Sequence, residues 1–236
     1  MEEKKQMVES MFNSIAWRYD FLNHFLSFGT DYFWRRKAVR VISMYQKKPL
    51  ILDVATGTAD LAIASIKIDP VEVKGIDISE KMLEIGKSKI LKKRLENRIE
   101  LLKGDSEKIG FQNDTFDVTM AAFGVRNFGD PLKGLSEMCR VTKPGGMIMV
   151  LEFSKPSGFF FRHLYNFYFI RILPFFGRVF SKDKKAYDYL PESVMHFPDN
   201  EEFLKLLEQA GFTGSMQNKL SGGIASIYTG FKPKGQ

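Results

Sequence analysis

The chain has 236 residues, 44% of them hydrophobic and 27% charged, which suffices for one sizeable core and excludes a collagenous or low-complexity chain. Its single cysteine excludes an internal disulfide and a zinc site built on cysteines. The net charge of +7 favours a negatively charged partner, such as nucleic acid, anionic lipid or an acidic ligand.

Residues 49–153 alternate strand and helix patterns, after a helical segment at the N-terminus. Residues 1–48 carry apolar side chains at helical spacing and predict a helical N-terminal cap. The predicted strands that follow are Leu50–Ala55, Val71–Ile76, Ile99–Leu102, Phe116–Ala121 and Met147–Phe153. The predicted helices between them are near 59–68, 80–94 and 131–142. This order predicts a Rossmann-like, doubly wound, mostly parallel α/β sheet with right-handed crossovers.

The last part of the chain predicts an appended hairpin. A helix near 200–210 ends at Gly211, and two strand patterns follow, at Phe212–Lys219 and Ile224–Lys232. Ser221-Gly222-Gly223 joins them, so we expect an antiparallel hairpin at the edge of the sheet.

No linker is long enough to separate two folding units, so we expect one domain over residues 1–236. Its parts are the cap at 1–48, a cofactor-binding core at 49–153, an aromatic and basic insertion at 154–198, and the final helix and hairpin at 199–236. The charged N-terminus carries no secretory leader, and no run of apolar residues is long enough to span a bilayer. We therefore expect a cytoplasmic protein.

The sharpest local signal is a strand that runs into a turn of small residues, Leu50-Ile51-Leu52-Asp53-Val54-Ala55-Thr56-Gly57-Thr58-Ala59-Asp60. Small residues let a ligand approach the backbone, and the next helix offers its N–H groups to an anion. Asp77 follows Gly57 by 20 residues, where a carboxylate can hold a ribose diol. Ala55 and Ala59 stand where glycines are expected, so a dinucleotide site and a plain tight turn both remain open.

Later features narrow the choice. Gly104-Asp105-Ser106 places an acid and a hydroxyl after the third strand, where an adenine amino group can donate a hydrogen bond. Lys143-Pro144-Gly145-Gly146 then precedes a strongly apolar strand. Signals in this order resemble the class I S-adenosylmethionine-dependent methyltransferases. The resemblance implies S-adenosyl-L-methionine as cosubstrate and gives as binding candidates Gly57, Thr58, Asp77, Asp105 and Ser106.

Several motifs resemble, more narrowly, the ubiquinone/menaquinone biosynthesis C-methyltransferase family, over about residues 8–232. They are Tyr19-Asp20-Phe21-Leu22-Asn23 with Ser27 and Trp34, Phe123-Gly124-Val125-Arg126-Asn127, Arg140–Gly146 with Glu152-Phe153-Ser154, Ala186–Ser193, and Leu220-Ser221-Gly222-Gly223. The chain departs from the family pattern at Leu22, Asp31, Ala122 and Thr142. None of these departures removes an indispensable group.

The resemblance implies C-methylation of a reduced, prenylated naphthoquinone, demethylmenaquinol to menaquinol, with the ubiquinone precursor as the alternative substrate. A phenolic hydroxyl, with a pKa of about 10, must lose its proton before the neighbouring ring carbon becomes nucleophilic. The candidates for stabilising that phenolate and covering the site are Arg126, Asn127 and Tyr19. A surface salt bridge, a turn cap and a packing role are the open alternatives for these three residues. Methyl transfer from a sulfonium needs no metal, so none is expected.

The segment Gly158–Phe180 contains ten Phe or Tyr among 23 residues, interrupted by three arginines. From Lys155 to Asp188, seven Lys or Arg stand against two Asp, a net charge of +5. An interfacial helix with peripheral contact to the inner face of the cytoplasmic membrane fits this pattern. A buried helix that covers the substrate pocket fits it equally well, so both interpretations stay open.

Other functions fit the sequence less well. An RNA methyltransferase is compatible with the basic charge, but no Asn/Asp-Pro-Pro-aromatic motif, second catalytic cysteine or appended nucleic-acid module is present. A binding module without catalysis conflicts with the intact candidate residues. We therefore expect a prenylated quinol as partner and no nucleic acid, while a homodimer is left open.

Overall fold

The computed structural model describes residues 2–156, 189 and 192–235. The predicted aromatic segment Gly158–Phe180 and most of the Ala186–Ser193 motif lie outside these residues. The principal α-helices are α1 (Glu2–Leu26), α2 (Thr30–Tyr45), α3 (Asp60–Ser65), α4 (Glu80–Lys92), α5 (Pro131–Val141) and α6 (Glu201–Gln209). The strands are β1 (Leu50–Val54), β2 (Glu72–Asp77), β3 (Ile99–Lys103), β4 (Phe116–Ala122), β5 (Thr142–Phe153), β6 (Thr213–Leu220) and β7 (Ala225–Phe231).

The seven strands form one sheet in the order β3-β2-β1-β4-β5-β7-β6. Neighbours from β3 to β5 pair in parallel, whereas β7 runs antiparallel to both β5 and β6. The predicted doubly wound sheet with a C-terminal antiparallel hairpin is confirmed. This is the fold of the class I methyltransferases.

Apolar side chains cover both faces of the sheet. Ile51 and Met149 belong to one buried cluster, while their chain neighbours Leu52 and Ile148 belong to the other. Successive residues of a strand point to opposite faces, so near-continuous apolar runs are what a sheet covered by helices on both sides requires.

Local chemistry fixes the helix ends beside the sheet. The hydroxyl of Ser79 accepts a hydrogen bond from the Met82 N–H at 3.3 Å and starts α4 directly after β2. The predicted N-terminal cap is two helices, because Phe28 (φ 51°) and Gly29 (φ 72°) are both left-handed and end the first one.

Two predicted boundaries shift. The predicted strand Met147–Phe153 begins five residues earlier, at Thr142, which pairs with Phe116 before the register shifts. The predicted helix at 59–68 ends at Ser65 and gives way to a short 3-10 turn at Ile66–Ile68.

The chain connections leave a crevice at one edge of the sheet. From β1 the order proceeds to β2 and β3 on one side and to β4 and β5 on the other. Ligands of open α/β sheets bind where the order reverses, outside the carboxyl ends of the strands. The residues that directly follow β1, β2, β3 and β4 therefore face one another there.

Candidate active site

A cleft opens at the carboxyl ends of β1 to β4 and holds about 680 Å³ of empty space, open solvent included. Six of the eight predicted site residues line it, namely Tyr19, Gly57, Asp77, Asp105, Ser106 and Asn127. Thr58 lies in an adjoining hollow of about 340 Å³, which shares Tyr19, Ala55, Gly57 and Ala122 with the cleft. Arg126 lines neither cavity and lies behind the wall.

The turn after β1 is left-handed at three positions, Ala55 (φ 54°), Gly57 (φ 55°) and Ala59 (φ 66°). This conformation costs an alanine roughly 1–2 kcal/mol, which explains why glycines are expected there. A Cβ added to Gly57 would meet no atom within 4 Å, so the backbone faces open space. The Thr56 N–H donates to the Ile76 carbonyl at 3.0 Å and holds the turn against β2. The turn therefore exposes backbone to a ligand.

The Asp77 carboxylate joins two turns of the cleft. One oxygen accepts from the Gly57 N–H and the other from the Ser79 N–H, both at 2.8 Å. Desolvation by burial nevertheless raises the pKa of Asp77 to about 6. Each carboxylate oxygen keeps a further lone pair for a hydroxyl donor in the cleft.

Asp105 is held by the N-terminal helix. Its Oδ2 accepts from Lys5 Nζ at 2.7 Å, and its Oδ1 accepts from the Glu107 N–H at 2.8 Å. Although burial acts to raise it, these hydrogen bonds keep the pKa of Asp105 below its ordinary value. Lys5 also lies 3.0 Å from Glu107 Oε2, so one ammonium bridges two carboxylates at the cleft wall.

Helix α1 crosses the ends of the strands and forms one side of the cleft. Besides Lys5, its Asn13 accepts a hydrogen bond from the Ser79 hydroxyl at 2.7 Å. Near its other end, Asp20 accepts from the buried Thr58 hydroxyl at 2.5 Å and from Lys89 Nζ at 2.9 Å. The predicted binding residue Thr58 is thus already engaged by protein groups.

Arg126 forms a buried ion pair. Its Nη1 donates to Glu152 Oε1 at 2.8 Å and also to the Phe123 carbonyl. Glu152 is fully buried on β5, and burial raises its pKa while the Arg126 cation opposes the rise. The alternative interpretation of Arg126 as a surface salt bridge is therefore wrong. Within the described part of the chain, its Nε has no hydrogen-bond partner.

Asn127 and Tyr19 bring polar groups to the cleft. The Asn127 amide donates to the Phe123 carbonyl at 3.3 Å, and its buried Oδ1 has no partner among the described residues. Tyr19 packs edge-on against Phe12 with ring centroids 5.8 Å apart. Desolvation by burial raises the pKa of Tyr19, against the nearby Arg126 cation, so its hydroxyl stays protonated at neutral pH.

We expect Glu152→Gln to lower the free energy of unfolding by roughly 3 kcal/mol, because it leaves the buried Arg126 charge without its counter-ion. Urea denaturation of the purified protein measures this difference. Glu100→Gln is the matched control, since Glu100 lies 2.5 Å from Lys74 but is half exposed. The control should lose less than about 1 kcal/mol. Equal losses in the two variants would contradict a structural charge pair at Glu152.

Sequence reasoning missed three groups of this site. Lys5, Glu152 and Glu107 contact predicted residues but lie 100, 26 and 2 positions away from them along the chain. The Glu152-Phe153-Ser154 motif was the only signal for any of them. No group of three or more His, Cys, Asp or Glu placed to hold a metal ion occurs in residues 2–156, 189 and 192–235.

The fold is that of a class I methyltransferase. A crystal structure of an S-adenosylmethionine-dependent methyltransferase from Thermotoga maritima matches with a TM-score of 0.66, at 20% identity over 95% of this chain and 99% of that one. Likeness at this identity establishes the fold alone.

Sequence relatives establish the family. The model of the ubiE/COQ5 methyltransferase family matches residues 1–232. The "Ubiquinone/menaquinone biosynthesis C-methyltransferase UbiE" of Geotalea daltonii is 46% identical over 98% of this chain and 99% of its own length. The "Demethylmenaquinone methyltransferase" of Porphyromonas gingivalis is 42% identical over 97% of this chain and 94% of its own. The chain belongs to the ubiE/COQ5 family and is an S-adenosylmethionine-dependent C-methyltransferase.

The residues present fit the cosubstrate that this family implies. The cleft offers the Asp77 carboxylate and an open left-handed turn at Gly57. The adjoining hollow brings Arg35 together with Asp53, whose buried Oδ1 has no hydrogen-bond partner among the described residues. A cation and an unsatisfied carboxylate suit the carboxylate and ammonium of an amino acid.

Proposed function

We propose that this chain methylates a ring carbon of a reduced, prenylated naphthoquinone and converts demethylmenaquinol to menaquinol. The observation that carries the proposal is the buried Arg126–Glu152 pair directly behind Tyr19 and Asn127 at the cleft wall. It supplies a fixed cation next to two neutral polar side chains, which suits a substrate that develops negative charge on a ring oxygen. The name of the Porphyromonas gingivalis relative supports the same substrate.

The binding roles that we propose follow the cleft wall. Asp77 accepts hydrogen bonds from the two ribose hydroxyls, and Asp105 and Ser106 face the adenine. Gly57 and Thr58 lie at the methionine end and line the adjoining hollow together with Arg35 and Asp53. Bound there, S-adenosyl-L-methionine supplies an electrophilic methyl group on a sulfonium.

The catalytic roles that we propose concern one proton and one developing charge. The phenolic proton, with a pKa of about 10 in water, leaves through a water molecule to bulk solvent, and the positive charge of Arg126 favours this loss by stabilising the phenolate. The ring carbon then takes the methyl group from the sulfonium, which leaves as a neutral thioether. Its hydrogen moves as a proton to the phenolic oxygen, and the ring becomes aromatic again. Arg126 is not the base, because a guanidinium stays charged. Asn127 donates to the ring oxygen that becomes negative, and Tyr19 covers the site from α1. Holding the ring carbon in line with the methyl group, and keeping bulk water away from both, supplies much of the rate acceleration.

The ubiquinone precursor is the second candidate substrate. The name of the Geotalea daltonii relative covers both quinones. The two headgroups differ by a fused benzo ring, so a direct comparison of both substrates decides between them.

A prenyl tail ties the enzyme to a lipid surface in this proposal. Each CH₂ group adds about 0.8 kcal/mol of preference for the bilayer, so the substrate stays there and the enzyme meets it at the interface. Among the described residues, no helix combines the length and the apolar character needed to cross a bilayer. Contact with the membrane is therefore proposed as peripheral.

The test is methyl transfer from labelled S-adenosylmethionine to chemically reduced demethylmenaquinone in detergent. We expect label on the reduced naphthoquinol and none on its oxidised form, because only the quinol can form a phenolate. The ubiquinone precursor, reduced in the same way, runs in parallel. Label on the benzoquinol alone would replace the proposed substrate with the second candidate. No label on either quinol, despite cosubstrate binding, would refute the proposal.

A further inference from the structure

The outward face of α2 carries aromatic side chains followed by cations. Tyr32 and Phe33 are 52% and 59% exposed, although they begin a helix whose opposite face is buried in the core. Arg36, Lys37 and Arg40 continue the same face at helical spacing and are exposed. The packing of the described residues does not explain an outward face of this kind.

The cations of this face have no counter-ion in the described part of the chain. Asp31 is the only acid of α2, and it is buried against Arg35. No described carboxylate pairs with Arg36, Lys37 or Arg40, which we call the cationic strip. Three uncompensated positive charges on one helix face attract a surface of negative charge.

Helix α1 extends the aromatic surface across the turn between the two helices. Tyr32 stacks on His24 of α1, with ring centroids 4.2 Å apart. Trp17, 71% exposed, lies on the same side of α1 as His24, two helical turns earlier. Phe28 is 81% exposed at the tip of the turn. We call this surface the aromatic elbow, formed by Trp17, Phe21, Phe28, Tyr32 and Phe33.

We propose that the aromatic elbow and the cationic strip dock this enzyme on an anionic lipid bilayer. Large aromatic side chains enter the headgroup region, while adjacent cations meet lipid phosphates. A second copy of the chain fits this surface poorly, because the two cationic strips would repel each other. The inference rests on the proposed function for its purpose, but the surface is testable without any quinol.

The position of the elbow links lipid to the cleft. The other side of α1 carries Lys5 and Tyr19, which line the cleft. A helix is about 10–12 Å across with its side chains, so docking through the outer side places the cleft about one helix diameter from the headgroups. A quinol can then reach the cleft while its tail stays in the bilayer.

The experiment is co-sedimentation of the full chain with vesicles of phosphatidylcholine, with and without phosphatidylglycerol. Two variants change this surface, and we call both of them elbow variants. Trp17→Ser/Phe33→Ser removes aromatic side chains of the elbow, and Arg36→Gln/Lys37→Gln/Arg40→Gln removes the charges of the cationic strip. The control variant, Leu91→Ser/Lys87→Gln/Lys92→Gln, removes an apolar side chain of 63% exposure and two exposed cations from α4. All changed side chains are exposed, so thermal unfolding should match the unchanged protein.

We expect the unchanged protein and the control to bind anionic vesicles, with binding weakened by salt. Each elbow variant should partition at least about tenfold less, from loss of charge attraction or of apolar insertion. Unchanged binding of both elbow variants, an equal loss in the control, or no vesicle binding at all would overturn the proposal. So would elbow variants that bind vesicles normally but lose self-association, or affinity for a single-stranded RNA.

Turnover on a naphthoquinol without a prenyl tail separates this inference from the proposed function. The elbow variants should methylate it as fast as the unchanged protein does, because no bilayer is involved. Vesicle binding that depends on the elbow, together with no methyl transfer to any quinol, would remove the function and leave the docking surface. Methyl transfer to a quinol, together with vesicle binding that does not depend on the elbow, would leave the proposed function and remove the docking surface.

Discussion

Arg126→Ala is expected to lower the turnover number by about 100- to 1,000-fold, the usual cost of removing one group that stabilises transition-state charge. Affinity for S-adenosylmethionine should stay unchanged, because Arg126 lines neither the cleft nor the adjoining hollow. Calorimetry with the cosubstrate and initial rates with reduced quinol measure the two quantities separately. Arg98→Ala, which removes an arginine paired with exposed Asp69, is the control and should keep normal turnover.

A second variant separates a loss of catalysis in Arg126→Ala from a loss of folding. Arg126→Ala leaves the buried Glu152 without its counter-ion, and such a change can unfold a protein. Arg126→Met/Glu152→Met removes both charges, and apolar replacement of a buried pair is often close to neutral for stability. This double variant should fold and bind the cosubstrate, yet turn over as slowly as the single one. A folded double variant with normal turnover would exclude Arg126 from catalysis.

Asp77→Ala should weaken binding of S-adenosylmethionine by about 1.5–3 kcal/mol, the range for a hydrogen bond to a charged group. This corresponds to a rise of about 10- to 150-fold in Kd, measured by calorimetry. The change also removes the acceptor of the Gly57 and Ser79 N–H groups, so the turn loosens in the same direction. Asp114→Ala, at an exposed carboxylate outside the cleft, is the control. An unchanged Kd for Asp77→Ala would reject the ribose assignment.

The raised pKa of Asp77 adds a pH dependence with a definite sign. Its carboxyl group titrates at about 6, and hydroxyl donors prefer the ionised form. Affinity should therefore be complete above pH 6 and fall as the pH drops below it, by up to about tenfold per unit. In Asp77→Ala this step should disappear, and the step of Asp53, whose pKa near 7 is raised by burial and in smaller part by the Asp77 charge, should move to lower pH. An Asp77→Ala profile identical to that of the unchanged protein would assign the pH dependence to another group.

The fold was readable because its signals are local. Short apolar runs at regular intervals predict buried parallel strands, and each run overlaps a strand of the structure, with boundaries shifted by one to five residues. The turn after β1 was predicted from small residues, and its alanines occupy left-handed positions where glycines were expected. Strand ends meet at one edge of a parallel sheet, which brings Gly57, Asp77 and Asp105 to one cleft.

Partners of the site residues were not readable in the same way. A lysine at position 5 has no local feature that assigns it to Asp105, which lies 100 residues away. Similarly, Asp20 has no local feature that places it on Thr58, 38 residues away. Both contacts exist because α1 packs across the ends of the strands, and that packing depends on the whole apolar side of the helix.

The sequence by itself determined the order of the strands and helices, the place of the cleft and six of the residues that line it. The tertiary structure alone decided that Arg126 is buried against Glu152 rather than exposed, and that α1 turns Tyr19 inward and Trp17 outward. The physical reason is the distance along the chain over which each effect acts. Hydrophobic period and turn chemistry act over a few neighbouring residues, whereas burial and ion pairing depend on which distant surfaces come together.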